Sequence, residues 1–232
     1  MEPTKAGRRP KGSSVLEPKA RTELRQLAAR GTHEWEAIAA ILDAGLLASV
    51  GFSVDGQPFV LPMLYGRAGR TLYLHGAASA RIMTVLGGAI PVCVSVTLVD
   101  GMVLARSAFN HSMNYRSVVA FGTARTIEDP RAKLSALRAL SEHMLAGRWD
   151  DVRGPNRSEL AQTAVLAMDI EEASAKVRNG PPIDDEADLP RPTWAGVLPL
   201  STVAAAPVAD PQLRPGIALP SYLENAGEAG RS

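Results

Sequence analysis

The chain has 232 residues, of which 46% are hydrophobic, so it can fill the core of one large domain or two small ones. Lysine and arginine number 25 against 24 for aspartate and glutamate, and this balance argues against a dedicated nucleic-acid-binding protein. The only cysteine, Cys93, lies in an apolar run, so no intramolecular disulfide can form and a buried hydrophobic role is favoured. We therefore expect a cytoplasmic protein.

Residues 1–20 combine basic residues with Pro, Gly and Ser, and no apolar segment of signal-peptide length follows them. No stretch of the sequence reaches the length of a membrane span, so a membrane partner is not expected. The composition of residues 1–20 predicts a disordered arm. A nucleic-acid-binding tail at RRPKG is a minor alternative, because it rests on charge patterning alone.

The first predicted elements are a helix and a hairpin. Apolar residues at helical spacing follow Thr32, which we take as the N-cap of a helix that ends at 43–45. Two β-prone runs, residues 46–54 and 58–65, are joined by Asp55-Gly56-Gln57 and predict a hairpin. A further turn leads into a short strand at 71–74. The sequence thus predicts a meander of antiparallel strands.

The stretch LYLHGAASARIMTVL, residues 72–86, is the strongest candidate for an anion site. We expect a strand that breaks at His75-Gly76 and a helix that begins at Ser79. Unpaired backbone N–H groups at such a break attract an anion. Ser79 could cap the helix, and the guanidinium of Arg81 could donate two hydrogen bonds to phosphate oxygens. The alternative is an ordinary N-cap beside a solvated arginine. A helix end contributes only about 0.3–2 kcal/mol per charge, so other residues must supply most of the affinity.

The second half of the chain predicts further strands and helices. The predicted strands are one at 91–99 bounded by Asp100-Gly101, its return partner at 102–105, one at 115–127, and one at 164–170 that continues past a bend at 171–172. The predicted helices are an amphipathic helix at 131–145, capped by Asp129-Pro130, and a short helix at 158–163. Gly122 in mid-strand marks a bulge or a close backbone approach. Many short strands and few helices predict a mainly β (α+β) fold, a small antiparallel barrel with peripheral helices.

Residues 179–232 are rich in Pro, Asp and Ala, with WAGVLPL as their one apolar island. We therefore expect a barrel domain at 21–178 and an extended C-terminal segment at 179–232. Trp194 suggests that this segment docks on the barrel or on a partner subunit.

Several motifs occur in an order that is more specific than any one of them: PMLYGR, LYLHG with SxR behind it, HSMNYRSVVAFGTAR, SAKVRNGPP and WAGVLPL. Together they resemble the flavin-nucleotide-binding branch of the pyridoxamine 5'-phosphate oxidase superfamily, nearest the subgroup that includes the nitroimidazole-resistance proteins. The likeness runs from about residue 21 to residue 222. It implies a split β-barrel that binds FMN in a groove between the two subunits of a homodimer.

The resemblance also implies which residues contact the cofactor. Along the isoalloxazine edge it implies Leu61, Pro62, Met63 and Leu64, and beside the ribityl phosphate His75 and Gly76, with Ser79 and Arg81 on the phosphate itself. Ser117, with its neighbours Tyr115 and Arg116, lies where the family's oxidases carry a flavin-contacting glutamine. Trp194 would approach the ring from the partner subunit. Judged without the resemblance, Pro62 is equally an ordinary edge proline, His75 a surface histidine and Trp194 a core residue. Residues 115–117 could simply form cross-strand pairs.

Two departures from the family pattern bear on function. Ala80 stands where the family's oxidases carry a basic residue, and the Arg-x-His near their C-terminus is missing, so pyridoxamine phosphate oxidation is not expected. The leading hypothesis is an FMN-dependent oxidoreductase that reduces a small organic molecule, such as a nitro compound or quinone, by flavin hydride transfer. The alternative is a non-catalytic protein that binds or senses a flavin, deazaflavin or haem. No metal-binding or hydrolytic motif is present, and no catalytic residue is assigned.

Overall fold

The computed structural model describes residues 14–23 and 26–224, and within them the chain forms nine strands and six α-helices. The strands are β1 (Gly31–Thr32), β2 (Leu47–Val54), β3 (Gln57–Ala68), β4 (Thr71–Ala77), β5 (Gly88–Leu104), β6 (Ser112–Thr126), β7 (Thr163–Asp169), β8 (Glu172–Arg178) and β9 (Gly196–Pro199). The helices are α1 (Trp35–Ala44), α2 (Arg81–Gly87), α3 (Pro130–Met144), α4 (Arg148–Asp151), α5 (Arg157–Gln162) and α6 (Ser221–Glu224).

Six of these strands close into a ring. Their order is β6, β7, β4, β3, β2 and β5, and β5 pairs back with β6, with every pairing antiparallel. Outside the ring, β8 pairs with β6, β1 with β8, and β9 with β5. The predicted fold class, an antiparallel split barrel with peripheral helices, is confirmed.

Alternation along the strands fills the barrel. Val50 in β2 and Val94 and Val96 in β5 point inward and are at most 1% exposed, as the period of two dictates. Ile38 and Leu42 of α1 are fully buried in the same core. Each such side chain contributes roughly 1.5–3 kcal/mol by leaving water. The core therefore sets the strand register that positions the surface groups described below.

Two glycines allow other backbone segments to approach the ring. A Cβ on Gly66 in β3 would lie 2.7 Å from the Cα and N of Leu140, so α3 packs directly on bare backbone. A Cβ on Gly122 in β6 would lie 2.2 Å from the carbonyl oxygen of Asp169 in β7. The close approach predicted at Gly122 is thus confirmed.

The predicted hairpin around Asp100-Gly101 is wrong, because β5 runs through both residues as one strand. Its register against β6 shifts between Val99 and Gly101, so a β-bulge absorbs the Asp-Gly pair. Arg116 of β6 donates to both carboxylate oxygens of Asp100 at 2.9 and 3.0 Å, and β9 lies beside Gly101. These long-range partners override a turn signal between two apolar runs.

The start of the first helix is also corrected. Thr32 is not its N-cap, because it lies in β1 and pairs with Ala175 of β8. The N-cap position is Glu34, whose backbone N–H donates to the Thr32 hydroxyl. At the other predicted cap, Asp129 accepts from the backbone N–H of Ala132, so the start of α3 is confirmed.

The predicted N-terminal arm falls partly outside the described residues, which begin at 14. Residues 14–20 lie against the barrel, contrary to the expectation. Leu16 is only 6% exposed, and its backbone N–H donates to the carbonyl of His33 at 2.9 Å. One apolar side chain within a polar stretch is enough to attach it, and composition does not predict this.

The described C-terminal segment contains one strand, β9, which pairs with residues 101–104 of β5. Farther along, the Tyr222 hydroxyl donates to Asp151 and accepts from Arg148. None of the described helices is both long and apolar enough to cross a membrane.

Candidate functional site

The ring opens between β3 and β4. On one side β3 pairs with β2 from Gln57 to Leu64, and on the other it pairs with β4 only from Tyr65 to Ala68. Beyond that point β4 follows β7 through His75, Gly76 and Ala77. The two strands therefore diverge at Leu64 and His75, and no strand among the described residues pairs with this edge of β3 over residues 57–64.

The hairpin turn determines which backbone groups point to this open edge. Asp55 and Gly56 have φ of 50° and 80°, the conformation of a two-residue type I′ turn, and such a turn closes on a hydrogen-bonded pair. Hydrogen-bonded and non-hydrogen-bonded pairs alternate along an antiparallel ladder. The backbone groups of Pro58, Val60, Pro62 and Leu64 therefore face away from β2, toward the open edge.

Two of these four residues are prolines, so the open edge offers few donors. Its N–H groups are those of Val60 and Leu64, and its acceptors are the carbonyls of Val60 and Pro62, because the Pro58 carbonyl accepts from the Gln57 side chain and the Leu64 carbonyl adjoins the β4 ladder. Proline is tolerated here because the missing N–H would not have bonded to β2. The expectation from sequence that Pro62 marks a strand edge agrees with this geometry. A planar ligand with alternating acceptors and donors could bind along the edge near Leu64.

A cavity of about 760 Å³ lies where β3 and β4 diverge. It is lined by residues of both strands, of α3, and of the segment from α4 to the start of β7: Leu64, His75, Gly76, Ala77, Leu137, Leu140, Ser141, Met144, Trp149, Arg153, Pro155, Glu159, Gln162 and Thr163. Ligand cavities are commonly of this size, with mostly apolar walls and a few polar groups. The cavity thus joins three of the predicted site residues, Leu64, His75 and Gly76.

The polar groups at the cavity have defined electrostatics. His75 has an exposed side chain, and partial desolvation at the cavity lowers its pKa from the ordinary value, which favours the neutral imidazole. Arg153 donates to both carboxylate oxygens of Glu159 at 2.6 and 2.8 Å. This pairing, together with the backbone N–H of Asn156, lowers the pKa of Glu159 to about 2. Arg153 is therefore not a free cation.

The predicted strand break and helix cap are corrected. β4 continues through His75 and Gly76 to Ala77. The N-cap of α2 is Ala80, which makes no side-chain cap hydrogen bond, and Ser79 lies in the turn before it. A Cβ on Gly76 would lie 2.9 Å from Met83, so this glycine allows α2 to pack against β4. Ser79 and Arg81 are exposed beyond the end of β4 and do not line the cavity.

The remaining predicted residues lie on another part of the barrel. Tyr115, Arg116 and Ser117 belong to β6, separated from β3 by β2 and β5. Arg116 is paired with Asp100, which raises the pKa of its guanidinium, and the Ser117 hydroxyl is 3.4 Å from the carbonyl of Lys176. Trp194 is 68% exposed, with its indole against Gly196. A single chain therefore does not bring this second group to the open edge.

Sequence reasoning misses the helical wall of the cavity. The pattern of α3 indicates one core face, yet Met144 is 51% exposed and lines the cavity, while Ala136 and Leu140 are buried. Trp149 and Arg153 follow in a short polar segment with no motif. An apolar residue near the C-terminus of α3, such as Met144, is the one feature of the sequence that could have indicated this wall.

A closed antiparallel barrel whose strands separate to expose one edge above a cavity defines the split β-barrel class of flavin-binding folds. Residues 34–177 match the pyridoxamine 5'-phosphate oxidase family, and the chain belongs to this family. The family resemblance found in the sequence is confirmed.

Solved structures of similar proteins extend this result. The chain is 37% identical to the flavocytochrome Anf3 from Azotobacter vinelandii, with 91% of this chain and 98% of that chain covered and a TM-score of 0.84. It is 36% identical to the FAD and haem binding protein from Mycobacterium smegmatis, with 85% and 97% covered and a TM-score of 0.82.

A Bacteroides thetaiotaomicron protein assigned to 5-nitroimidazole antibiotic resistance is 23% identical, with 63% of this chain and 86% of that chain covered and a TM-score of 0.52. This third likeness concerns the fold alone. No protein of curated function matches the chain.

Proposed function

We propose that this protein is a flavin-dependent oxidoreductase that holds its flavin along the open edge of β3. One observation carries the proposal: Leu64, His75 and Gly76 meet where β3 and β4 diverge, and a cavity of about 760 Å³ opens at that point. The family assignment adds support, because it is a flavin-binding family.

The residues at the edge fit a flavin. The pyrimidine ring of a flavin carries carbonyl and N–H groups in alternation, and the Leu64 N–H and Pro62 carbonyl offer the complementary donor and acceptor. Leu137, Leu140 and Met144 supply an apolar wall that would exclude water from the ring. A bound flavin would supply hydride transfer at N5, and the protein would bind it, orient it and limit solvent access.

Arg81 is the proposed partner of the flavin phosphate. It is exposed at the first position of α2, and no hydrogen bond or ion pair engages its side chain within the described residues. A guanidinium can bind a phosphate through two parallel hydrogen bonds, so a free arginine at this position suits that role. Arg116 cannot take its place without releasing Asp100.

A homodimer would unite the two groups of predicted residues. Large apolar side chains are exposed near both groups, namely Leu47, Phe59, Val60 and Leu64 on β2 and β3, and Val99, Met102, Met113, Trp194 and Leu198 on β5, β6 and the C-terminal segment. Soluble monomers rarely expose extended apolar surface of this kind. A second copy that placed Tyr115, Ser117 and Trp194 over the open edge would bury both surfaces and cover the ring.

A second candidate function is electron transfer with haem as an additional cofactor. Two relatives that are at least 36% identical over most of the chain are described as a flavocytochrome and as an FAD and haem binding protein. These names favour FAD with haem, whereas the sequence motifs alone lead to FMN. Both candidates share the flavin at the β3 edge.

Cofactor identity and turnover are tested on the full-length protein. Mass spectrometry and absorption spectroscopy of the purified protein distinguish FMN, FAD, deazaflavin and haem. We expect a flavin, and a haem band in addition if the second candidate is correct. Anaerobic addition of NADH or NADPH should bleach the flavin, and a nitroaromatic or quinone should restore it. A colourless preparation that takes up neither FMN nor FAD would refute both candidates.

Variants test the proposed contacts. Arg81→Glu should lower flavin affinity by at least about tenfold, since one charge-assisted hydrogen bond contributes about 1.5–3 kcal/mol. Arg131→Glu, an equal charge change on an exposed residue of α3, is the control. Leu64→Pro removes the edge N–H, and Leu64→Ala retains it, so only the first should weaken flavin binding strongly. Equal affinities for this pair would place the flavin elsewhere.

A further inference from the structure

A second cavity, of about 430 Å³, lies at the C-terminal end of β8. Its wall combines two arginines and backbone groups with apolar side chains: Ala29, Arg30, Val177, Arg178, Asn179, Gly180, Pro181 and Ile183. It shares no lining residue with the cavity at the β3 edge. We refer to it as the Arg178 cavity.

Arg178 is a buried cation for which the described residues provide no buried counter-ion. It is 7% exposed, and its terminal nitrogens donate to the side-chain oxygen of Asn114 and to the carbonyls of Gly180 and Pro181. Within the described residues no carboxylate forms an ion pair with it, and its Nε has no acceptor. Asp184, the first carboxylate to follow it in the chain, is held by Arg106 at 2.8 Å. Such an arrangement is costly, because neutral acceptors compensate a buried charge only in part.

A second positive charge faces the same cavity. Arg30 is half-buried, and no ion pair or hydrogen bond engages its side chain in the described part of the chain. Burial, with a smaller contribution from Arg30, lowers the pKa of Arg178 from its ordinary value. An arginine nevertheless remains protonated in proteins, so the two like charges repel each other. An anion between them would remove this repulsion and satisfy the Nε–H.

The guanidinium is also held in place. Gly180 has φ of 137°, a conformation that glycine adopts without strain, and the resulting turn brings two carbonyls to Arg178. Asn114 donates to the Gly180 carbonyl at 3.2 Å while accepting from Arg178. The donor is thus fixed before any ligand arrives, which reduces the entropy lost on binding.

We propose that the Arg178 cavity binds the oxyanion group, carboxylate or phosphate, of a small organic molecule. The oxyanion would accept hydrogen bonds from Arg178 and Arg30, since a guanidinium matches the geometry of both groups. The apolar part of the ligand would contact Val177, Pro181 and Ile183. This site is separate from the open edge of β3, because the two cavities share no lining residue, although Arg178 pairs in the sheet with Tyr115 of β6.

Isothermal titration calorimetry on the full chain tests the proposal, with inorganic phosphate and butyrate as separate probes in chloride buffer of constant ionic strength. We expect saturable binding of at least one probe, and tighter binding of butyrate if a carboxylate with an apolar tail is preferred. Arg30→Gln should weaken binding by about tenfold, and Arg178→Gln should remove it. Arg131→Gln, which removes an exposed charge from α3, should change it by less than about twofold.

Arg30 lies at the cavity wall without partners among the described residues, so its replacement leaves folding intact and keeps the test valid if Arg178→Gln unfolds. Circular dichroism of each variant checks this. Absence of saturable binding of both probes to the wild-type protein would overturn the proposal. It would equally be overturned if Arg30→Gln bound the probes as well as Arg131→Gln does.

Discussion

Replacing Gly66 by alanine should push α3 away from the barrel. The new Cβ would lie 2.7 Å from the Cα and N of Leu140 and 2.8 Å from the carbonyl carbon of Ala139, all of them backbone atoms. Ordinary carbon contacts are about 3.5–4.0 Å, so the helix must move by roughly 1 Å. Overpacking of this kind costs about 1–3 kcal/mol, and the reduced entropy of the unfolded chain offsets about 0.4–1 kcal/mol. A net loss of about 1–2 kcal/mol corresponds to a fall in Tm of roughly 2–8 °C.

The same displacement should weaken flavin binding, because Leu137, Leu140 and Met144 move with α3. Calorimetry and flavin titration of Gly66→Ala measure the two effects. Gly51→Ala is the matched control, since its Cβ would meet no atom closer than 3.6 Å and the residue also lies in the barrel. If Gly66→Ala were as stable as Gly51→Ala, α3 would accommodate the extra methyl group without moving, contrary to the expected displacement.

Two further predictions concern groups near this wall. Tyr65→Phe should lower the free energy of unfolding by about 1–2 kcal/mol, because it removes a buried hydroxyl that is hydrogen-bonded to the carbonyls of Leu42 and Gly45. An unchanged free energy of unfolding in urea would contradict this prediction. The pKa of Glu159 is about 2, below its ordinary value of 4.5, so its contribution to stability is present above pH 4.5 and is lost as the pH falls toward 2. An NMR titration should show the pKa of Glu159 rising toward 4.5 in Arg153→Gln, and an unaltered value would disprove that Arg153 is the cause of the low pKa.

Local signals predict much of the fold. Asp55-Gly56 marks the β2–β3 hairpin, and Asp129-Pro130 marks the start of α3, because turn and cap chemistry involves only neighbouring residues. Long-range pairing is not predictable in the same way. The Asp100-Gly101 pair has the composition of a turn, and only the presence of β6 and β9 on either side converts it into a bulge.

The candidate site is predictable only in part. The strand residues Leu64, His75 and Gly76 carry family motifs and do meet at one cavity. The wall formed by Met144, Trp149 and Arg153 comes from helices packed through tertiary contacts, and no local pattern marks those contacts. The sequence around Ser79 resembles a helix cap that follows a loop. In the structure, pairing with β7 extends β4 to Ala77, and the N-cap position of α2 is Ala80.

The prolines at positions 58 and 62 have a consequence for self-association. An unprotected strand edge invites a strand from another molecule, which is a common start of aggregation. At this edge of β3 every second backbone N–H donor is missing, so an incoming strand could not form a complete ladder of hydrogen bonds. A small flat molecule needs only one donor and one acceptor. The barrel can therefore keep the open edge of β3 unpaired in solution without adding a strand from another molecule to its sheet.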